Sequence, residues 1–330
     1  MKSQFPIEKF DVNKLANGIQ SGDIVSLAKA ITLIESSKKS DRKKSNSLLE
    51  RCISNKTNSI RIGITGVPGV GKSTFIESFG THLSSMGKKL AVLAVDPSSS
   101  ISNGSILGDK TRMENLVRNP NVFIRPTPAG AHLGGVANKT RESILLCESA
   151  GYDIIIIETV GVGQSEISVY EMVDYFVLLK LSGAGDELQG IKRGIIEMAD
   201  SIIINKADGQ NKKAAELAKA EFKLALSLYP LKSSKWKTKI STCSSLNSDG
   251  VKEIWEDIRN YIKLTNLNGF FQKNRNNQKK HWLMQTIKNT LHHEFFSNTI
   301  IKKELNIQIK LLENNKTSVI AASEKLLNLN

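Results

Sequence analysis

One short motif constrains the fold of this chain more than any other feature. Residues 66–73 read Gly-Val-Pro-Gly-Val-Gly-Lys-Ser and follow an apolar run that contains Ile62 and Ile64. Between a strand and a helix, the pattern G-x-x-x-x-G-K-[ST] is typical of a phosphate-binding loop, because glycines let successive backbone N–H groups converge on phosphate oxygens. The lysine then reaches the β- and γ-phosphates, and the following hydroxyl ligates Mg²⁺. We therefore predict a nucleotide-binding loop made of Gly66, Val67, Pro68, Gly69, Val70, Gly71, Lys72, Ser73 and Thr74.

From residue 61 onward, short apolar runs alternate with amphipathic segments, which is typical of α/β proteins. The isoleucine run at 154–157 is continuous, as expected for a parallel strand covered by helices on both faces. Strands are predicted at residues 62–65, 90–95, 122–125, 152–158, 175–181, 201–205 and 239–244. Helices are predicted between them at residues 73–86, 138–149, 188–198, 212–228 and 251–263. The pattern predicts a doubly wound, mostly parallel sheet that binds ligands beyond the carboxyl ends of its strands.

Helical patterns flank this core at both ends. Residues 12–53 have apolar side chains at near-helical spacing and are predicted as a long helix, a charged connection at 38–44 and a second helix that carries Leu48, Leu49 and Ile53. Residues 271–296 and 300–328 are predicted as two further helices. Two helices alone bury little surface, so the C-terminal pair must pack on another part of the chain or on a second copy. We predict an N-terminal helical extension at 1–60, a P-loop domain at 61–264 and a C-terminal helical arm at 265–330.

A second motif, Asn205-Lys206-Ala207-Asp208, stands at the end of the predicted strand 201–205. At such a position, N-K-x-D is the guanine reader of GTPases. The Asp208 carboxylate would accept the guanine N1–H and exocyclic amine, two donors that adenine cannot present together. A carboxylate left without them would penalise ATP. Asn205 is expected to tether neighbouring loops, and the Lys206 stem to cover the base.

A third motif, Ser244-Ser245-Leu246, follows the last predicted strand. It resembles the S-A-[KL] loop whose backbone N–H contacts guanine O6, with Ser245 where alanine is usual. We therefore add Ser244, Ser245 and Leu246 to the predicted nucleotide site.

The isoleucine-rich strand ends in Glu158-Thr159-Val160-Gly161, where most GTPases have D-x-x-G. The carboxylate of that motif contacts Mg²⁺ through water, and the glycine N–H touches the γ-phosphate and so senses hydrolysis. Glutamate adds one methylene, which a bridging water accommodates. Val162 stands where many GTPases place a water-orienting glutamine, so we expect slow intrinsic hydrolysis.

Two aspartates complete a candidate metal site: Asp96 directly after the predicted strand 90–95, and Asp109 in the loop that follows. Mg²⁺ prefers an octahedral shell of oxygens from few carboxylates, phosphates and waters. From the residues alone, Asp96 and Asp109 could also be turn or capping residues. The predicted metal ligands are Ser73, Asp96, Asp109 and Glu158, and the predicted catalytic residues are Lys72, Asp109, Glu158 and Gly161.

The formal net charge of +14 is concentrated in the flanks, with +5 in residues 1–60 and +7 in residues 262–330. These basic residues are separated by Asn and Leu, and few aromatic residues lie between them. This pattern favours a solvated helical face over nucleic-acid binding. The sequence has no apolar run of about 18 residues and no secretory pattern at its start. We expect a cytoplasmic protein without a nucleic-acid or membrane partner.

Together these motifs make the chain similar to the MeaB/ArgK-type GTPases, bacterial relatives of the human methylmalonic aciduria type A protein. The resemblance spans about residues 12–295. Its matching segments are GVPGVGKST (66–74), VDPSS (95–99), GSILGDKTRM (104–113), HLGGV (132–136), ETVGVGQSE (158–166), SGAGDELQGIK (182–192) and NKAD (205–208).

This resemblance implies a GTP-binding and GTP-hydrolysing chaperone of an adenosylcobalamin-dependent acyl-CoA mutase, chiefly methylmalonyl-CoA mutase. Such a protein gates cofactor loading and protects or reactivates the mutase. The resemblance also implies GTP/GDP and Mg²⁺ as cofactors, with Asp96, Asp109 and Glu158 at the metal. It places a mobile switch at 182–192, through which Asp186 and Lys192 link mutase and nucleotide. The family is typically a homodimer through its C-terminal arm, which would make 265–330 a dimerisation arm.

Three other functions remain open from the residues. A nickel-type metallochaperone GTPase would carry clustered His or Cys, whereas this chain has only the adjacent pair His292-His293. A kinase linked to amino-acid transport would need a catalytic loop that is not apparent. A scaffold using nucleotide only structurally is favoured by Val162 but opposed by the phosphate loop and metal candidates.

Overall fold

Parallel strands form one sheet at the centre of the chain in this computed structural model, which describes residues 11–36, 38–53, 58–95, 113–127, 133–159, 165–183 and 193–329. The seven strands run in the order β3-β2-β4-β1-β5-β6-β7, and every neighbouring pair is parallel. The predicted doubly wound α/β fold is therefore confirmed. The strands are β1 (Ile60–Gly66), β2 (Leu90–Val95), β3 (Val122–Thr127), β4 (Ile154–Thr159), β5 (Tyr175–Leu181), β6 (Ser201–Asn205) and β7 (Lys239–Thr242).

Helices cover both faces of this sheet. The helices of the described residues, those of the C-terminal segment included, are α1 (Val12–Gln20), α2 (Ile24–Glu35), α3 (Lys39–Cys52), α4 (Lys72–Ser85), α5 (Glu114–Arg118), α6 (Leu133–Ser149), α7 (Ser165–Tyr170), α8 (Arg193–Met198), α9 (Lys212–Ser227), α10 (Val251–Leu267), α11 (Phe270–Ser297), α12 (Thr299–Glu313) and α13 (Val319–Leu327). A short 3₁₀ turn, Gly209–Asn211, precedes α9. Contacts divide the chain into two units, residues 1–276 and 277–330.

The four isoleucines of β4 pack in two separate hydrophobic cores, one on each face of the sheet. Ile154 and Ile156 join the core built by α4 and α10, whereas Ile155 and Ile157 face the opposite core. Successive side chains of a strand point to opposite faces, so a strand buried on both sides must be apolar throughout. This geometry explains why the run shows no alternation of apolar and polar residues.

The N-terminal segment contains three helices where the sequence suggested one long helix followed by a second. The predicted long helix is interrupted at Gly22, which adopts a left-handed backbone conformation with φ of 80°. The Asp23 carboxylate then caps α2 by accepting hydrogen bonds from the N–H groups of Val25 and Ser26. Leu27, Ile31 and other apolar residues of these helices join the β-sheet core on the side of α6.

The second unit contains the end of α11 together with α12 and α13. The stretch 300–328, predicted as one helix, is divided between α12 and α13. Asn315 adopts a positive φ of 53°, and the Ser318 hydroxyl accepts a hydrogen bond from the Ala321 N–H at the start of α13. A residue in the left-handed conformation ends a helix, and a serine cap begins the next one. In the described part of the chain, no helix is both long and apolar enough to cross a membrane.

Candidate nucleotide site

The sequence motifs meet at one edge of the sheet because all strands run in the same direction. β1 ends at Gly66, β4 at Thr159 and β6 at Asn205, so each motif begins where a strand ends at the carboxyl edge. β1 lies between β4 and β5, which puts the loop after β1 at the centre of this edge. Open α/β sheets bind ligands at this edge.

The loop after β1 has the backbone geometry of a phosphate cradle. Gly69 and Gly71 adopt φ of 81° and 93°, which L side chains rarely tolerate. The fully buried Val70 side chain anchors the loop in the core, while Gly69 is exposed. The Lys72 ammonium donates to the carbonyl oxygens of Gly66 at 2.8 Å and Val67 at 3.3 Å, so it is held against the loop.

This loop leads directly into α4, which begins at Lys72. A helix N-terminus presents free N–H groups and the positive end of the helix dipole, both of which favour phosphate. The predicted residues 66–74 thus form one continuous strand–loop–helix segment, and Ser73 and Thr74 lie in its first helical turn. The arrangement suits a nucleotide polyphosphate.

The side chain of Asn205, the first residue of the predicted guanine-reading motif, connects that motif to the loop after β1. Its Nδ2 donates to the Val70 carbonyl oxygen at 2.8 Å, and the residue is only 1% exposed. A Cβ atom at Gly71 would lie 2.8 Å from the same Nδ2. The last glycine of the motif therefore provides room for Asn205 as well as an unusual backbone angle.

The segment after Asn205 is held beside the loop that follows β7. The Ala207 N–H donates to the Cys243 carbonyl at 3.0 Å, and the Cys243 N–H donates to the Ile204 carbonyl at 2.9 Å. Lys206 adopts a positive φ of 56°, so the chain turns sharply between Asn205 and Asp208. These bonds fix the loop that carries Asp208.

Ser244 and Ser245 bind the two side chains that define the guanine motif. The fully buried Ser244 donates its hydroxyl to Asp208 Oδ2 at 2.7 Å. Ser245 donates to Asn205 Oδ1 through its hydroxyl at 2.6 Å and its N–H at 3.3 Å. Leu246, the third predicted residue of this loop, is 79% exposed. The structure therefore brings the second and third motifs together.

Glu158 lies at the same edge, beside the phosphate loop. In the parallel pairing of β1 and β4 it aligns with Ile64, two residues before Gly66. Its side chain is almost fully buried, at 4% exposed. The neighbouring hydroxyls of Thr65 and Thr159 are 2.9 Å apart and link the ends of the two strands.

Five other predicted site residues lie outside the described residues: Asp96, Asp109, Gly161, Asp186 and Lys192. Among the side chains that the structure does describe, no group of three or more His, Cys, Asp or Glu residues is arranged to hold a metal ion. Of the predicted metal ligands, the described ones are Ser73 and Glu158.

The sequence did not single out Glu77, one turn after Ser73 on α4. Its two carboxylate oxygens accept hydrogen bonds from the N–H groups of Asn115 and Leu116, at 2.9 Å and 3.4 Å. Glu77 therefore caps α5 from a distance of 38 residues along the chain. In the sequence, the one signal that could have pointed to Glu77 is its place on the helix that follows the phosphate loop. No local pattern connects Glu77 with the start of α5.

A phosphate loop after the central strand, a tethered N-K-x-D segment after β6 and a parallel sheet define the class of a P-loop GTPase. The family described as "Methylmalonyl Co-A mutase-associated GTPase MeaB" matches residues 27–300. The chain therefore belongs to the MeaB family and is a GTPase.

Relatives in bacteria and animals agree with this assignment. The chain is 43% identical to "GTPase ArgK" of Escherichia coli over 300 residues, covering 91% of each protein. It is 42% identical to "Methylmalonic aciduria type A homolog, mitochondrial" of Mus musculus over 326 residues, covering 96% of this chain and 79% of the mouse protein. A solved structure titled "Crystal structure of LAO/AO transport system kinase" is 35% identical, with a TM-score of 0.77, and covers 96% of this chain and 97% of that chain.

Proposed function

We propose that this GTPase binds GTP and Mg²⁺ at the carboxyl edge and uses slow hydrolysis to time its action on an adenosylcobalamin-dependent acyl-CoA mutase. The observation that supports guanine binding is the pair of serine contacts, from Ser244 to Asp208 and from Ser245 to Asn205. They hold the base-reading carboxylate in one orientation while Asn205 holds the phosphate loop.

In the proposed mode, the Asp208 carboxylate accepts the N1–H and exocyclic amine of guanine, and the backbone N–H of Ser245 donates to O6. The Lys206 stem covers one face of the base. Adenine offers an acceptor at N1, so Asp208 would lose its partners after desolvation. Sites built to pair a specific polar group discriminate strongly against analogues that lack it. We expect a preference for GTP over ATP of at least about 100-fold.

The phosphates lie on the loop 66–74 in this proposal, with Lys72 moving from the loop carbonyls to the β- and γ-phosphates. Mg²⁺ would be held by the Ser73 hydroxyl, by Glu158 through water, and by Asp96 and Asp109. A bound Mg²⁺ neutralises charge that develops on the phosphates. Val162 stands at the position of a water-orienting glutamine, so we propose slow turnover without a partner.

Two names support a mutase as the partner. The family description itself names methylmalonyl-CoA mutase, and the mouse relative is named for methylmalonic aciduria. We propose that the segment 182–192, through Asp186 and Lys192, transmits the nucleotide state to the mutase. GTP binding and hydrolysis would then gate cofactor loading and the protection or reactivation of the mutase.

The second unit, 277–330, is proposed as a dimerisation arm that binds a second copy of this chain. Its helices expose many large apolar side chains, as expected of an interface. Those that are more than half exposed are Leu283, Met284, Leu291, Ile300, Ile307, Val319, Ile320 and Leu327. Light scattering should give twice the chain mass, and Leu283→Glu combined with Leu291→Glu should give the monomer. A monomeric wild type would refute this part of the proposal.

The enzymatic part is tested by phosphate release from GTP and from ATP, with Lys72→Ala as the inactive control. We expect GTP-dependent release that the variant lacks. Equal use of ATP would refute guanine selectivity, and equal rates in wild type and variant, also with a mutase present, would refute hydrolysis at this site. Transfer of phosphate to a protein without release would instead support the kinase alternative.

The partner is tested by affinity capture with the full chain, loaded with GDP or with a non-hydrolysable GTP analogue. Recovery of a cobalamin-dependent acyl-CoA mutase in a nucleotide-dependent manner supports the proposal. The Lys72→Ala protein is the matched control, because it should capture the same amount with either nucleotide. Capture of no such mutase in either state would contradict the proposed partner.

A further inference from the structure

We propose that the Ser245 hydroxyl is a positioning group, which satisfies Asn205 and so leaves the weakly engaged Ser245 backbone N–H available to bind guanine O6. This inference rests on the proposed guanine site. It assigns a role to a side chain where the similar S-A-[KL] loops carry alanine. Ser245 is thus a candidate determinant of how tightly this chain holds its base.

The first observation is that two donors of Ser245 share one acceptor. The hydroxyl lies 2.6 Å from Asn205 Oδ1, a short and strong contact for an O–H donor. The backbone N–H lies 3.3 Å from the same oxygen, which is beyond the usual N–H···O range of 2.7–3.2 Å. The hydroxyl is therefore the main partner of Asn205 Oδ1, and the N–H is weakly engaged.

The second observation is that Asn205 cannot easily turn to another partner. Its Nδ2 donates to the Val70 carbonyl at 2.8 Å, and Gly71 leaves space only because it lacks a Cβ. The side chain is 1% exposed, so water cannot replace a lost contact at Oδ1 without cost. Whatever donates to Oδ1 must stay there while nucleotide is bound.

The thiol of Cys243 is also buried in this loop. It does not change which group donates in the hydrogen bond from the Ser245 hydroxyl to Asn205. Burial raises the pKa of Cys243 to about 12, although a hydrogen bond with the Ser245 side chain acts in the opposite direction. The thiol therefore stays neutral at ordinary pH. No thiolate competes with Asn205 for the Ser245 proton, and the hydroxyl remains a donor to Asn205.

These contacts predict what alanine would do at this position. Without the hydroxyl, Asn205 Oδ1 and guanine O6 would compete for a single N–H. One of two acceptors would then lose its hydrogen bond on binding. A lost bond of this kind weakens binding by about five- to ten-fold, and the loss should depend on the presence of O6.

The experiment combines Ser245→Ala with a change at the ligand atom, using calorimetric titration of the full-length protein. GDP is compared with 6-thio-GDP, which keeps both donors read by Asp208 but replaces O6 with sulfur, a weak acceptor. We expect Ser245→Ala to weaken GDP by about five- to ten-fold and 6-thio-GDP by less than about two-fold. Such coupling between a side chain and one ligand atom would not arise from general loop damage.

Ser78→Ala is the matched control. The Ser78 hydroxyl donates to the Ser248 hydroxyl at 2.9 Å and so supports the same loop without touching Asn205. It should change both affinities equally or not at all. Ser245→Gly also lacks the hydroxyl and should show the same coupling, which protects the test if the alanine variant misfolds.

Two results would overturn the inference while leaving guanine binding intact. One is an unchanged GDP affinity in Ser245→Ala, and the other is an equal loss for GDP and 6-thio-GDP. A wild-type protein with no preference for GDP over ADP would instead overturn the proposed function itself, and this inference with it. The wild-type titrations therefore separate the two failures.

Discussion

The two ends of the same sheet use polar side chains in opposite ways. At the amino edge, the buried residues Ser59, Glu148, Asp174 and Arg275 and the half-buried Arg61 form an internally paired ion cluster. At the carboxyl edge, Asn205 and Ser244 are equally buried, but they bind loops that lead to exposed residues such as Leu246 and Lys206. The first arrangement is closed on itself, and the second supports a surface that a ligand can reach.

The amino-edge ion cluster joins segments that are far apart in sequence. Arg61 binds Glu148 through two hydrogen bonds of 2.8 Å and 2.9 Å. Arg275 binds Asp174 through 2.8 Å and 2.6 Å bonds and lies 3.5 Å from Glu148. Ser59 adds its hydroxyl to Glu148 at 2.7 Å. Each carboxylate is thus matched to a guanidinium fork, the geometry in which buried charges are best compensated.

The contrast separates a structural use of charge from a binding use. In the amino-edge ion cluster, every charged group has a buried opposite charge, so a ligand would gain little by entering. At the carboxyl edge, the half-buried Asp208 is held by a neutral serine hydroxyl, which orients the carboxylate without neutralising it. Its charge is therefore available to ligand donors. Four predictions test this difference, in order of decreasing expected effect.

The largest effect is expected at the amino edge, from Arg275→Met. Removing one member of a buried ion pair leaves Asp174 without its guanidinium and should lower the free energy of unfolding by about 3 kcal/mol. GDP affinity should change less than two-fold, because the cluster is at the opposite edge. Urea denaturation and nucleotide titration measure the two quantities. The control Arg259→Met, at an exposed position on α10, should cost less than about 0.5 kcal/mol.

A smaller effect on stability, but a large one on specificity, is expected from Asp208→Asn. An amide cannot accept both guanine donors, so the preference for GDP over ADP should fall by about 100-fold while the unfolding curve barely moves. Competition binding with both nucleotides measures the change. Asp249→Asn, in the loop after β7, should keep the preference. A preference that survives in Asp208→Asn would show that this edge does not read the base as proposed.

A third prediction compares two glycines with similar backbone strain. Gly69→Ala and Gly71→Ala both force alanine into a positive φ, and each should cost roughly 1 kcal/mol for that reason. At Gly71 the new Cβ would also lie 2.8 Å from Asn205 Nδ2, whereas nothing lies within 4 Å at Gly69. In the nucleotide-free proteins, the free energy of unfolding of Gly71→Ala should therefore be about 1 kcal/mol lower than that of Gly69→Ala. Equal stabilities would mean that the Asn205 tether adds nothing.

The smallest effect is an acid sensitivity of the amino edge. Burial tends to raise the pKa of Glu148, but Arg61 and Arg275 outweigh it, so the pKa lies below its ordinary value of 4.5. The unfolded state then takes up a proton before the folded state does. The stability from Glu148 is complete above about pH 4.5 and is lost as the pH falls through the lower folded-state pKa. In Glu148→Gln, the free energy of unfolding should depend less on pH between pH 6 and pH 3 than in the wild type. The exposed control Glu256→Gln should leave this pH dependence unchanged.

Much of the fold was predictable because its signals are local. The seven strands appear close to their predicted positions, since each carries its own apolar run between turn or helix signals. The boundaries were less predictable. The division of 12–35 at Gly22 and of 300–328 at Asn315 depends on single residues with positive φ, and such residues are common enough elsewhere that the sequence alone does not mark them. The described motif residues lie at the ends of β1, β4 and β6, in the loops after β1, β6 and β7, or in the first turn of α4.

The sequence by itself determined the class of this protein, because a phosphate loop and an N-K-x-D motif each need only a few adjacent residues after a strand. Only the tertiary structure decided which of these residues depend on each other. It showed that Gly71 makes room for Asn205 and that Ser245 binds the same side chain. It also paired Arg275 with Asp174 across 101 positions of chain. Such pairings follow from strand order and register, which bring distant residues together and leave no mark in the local sequence.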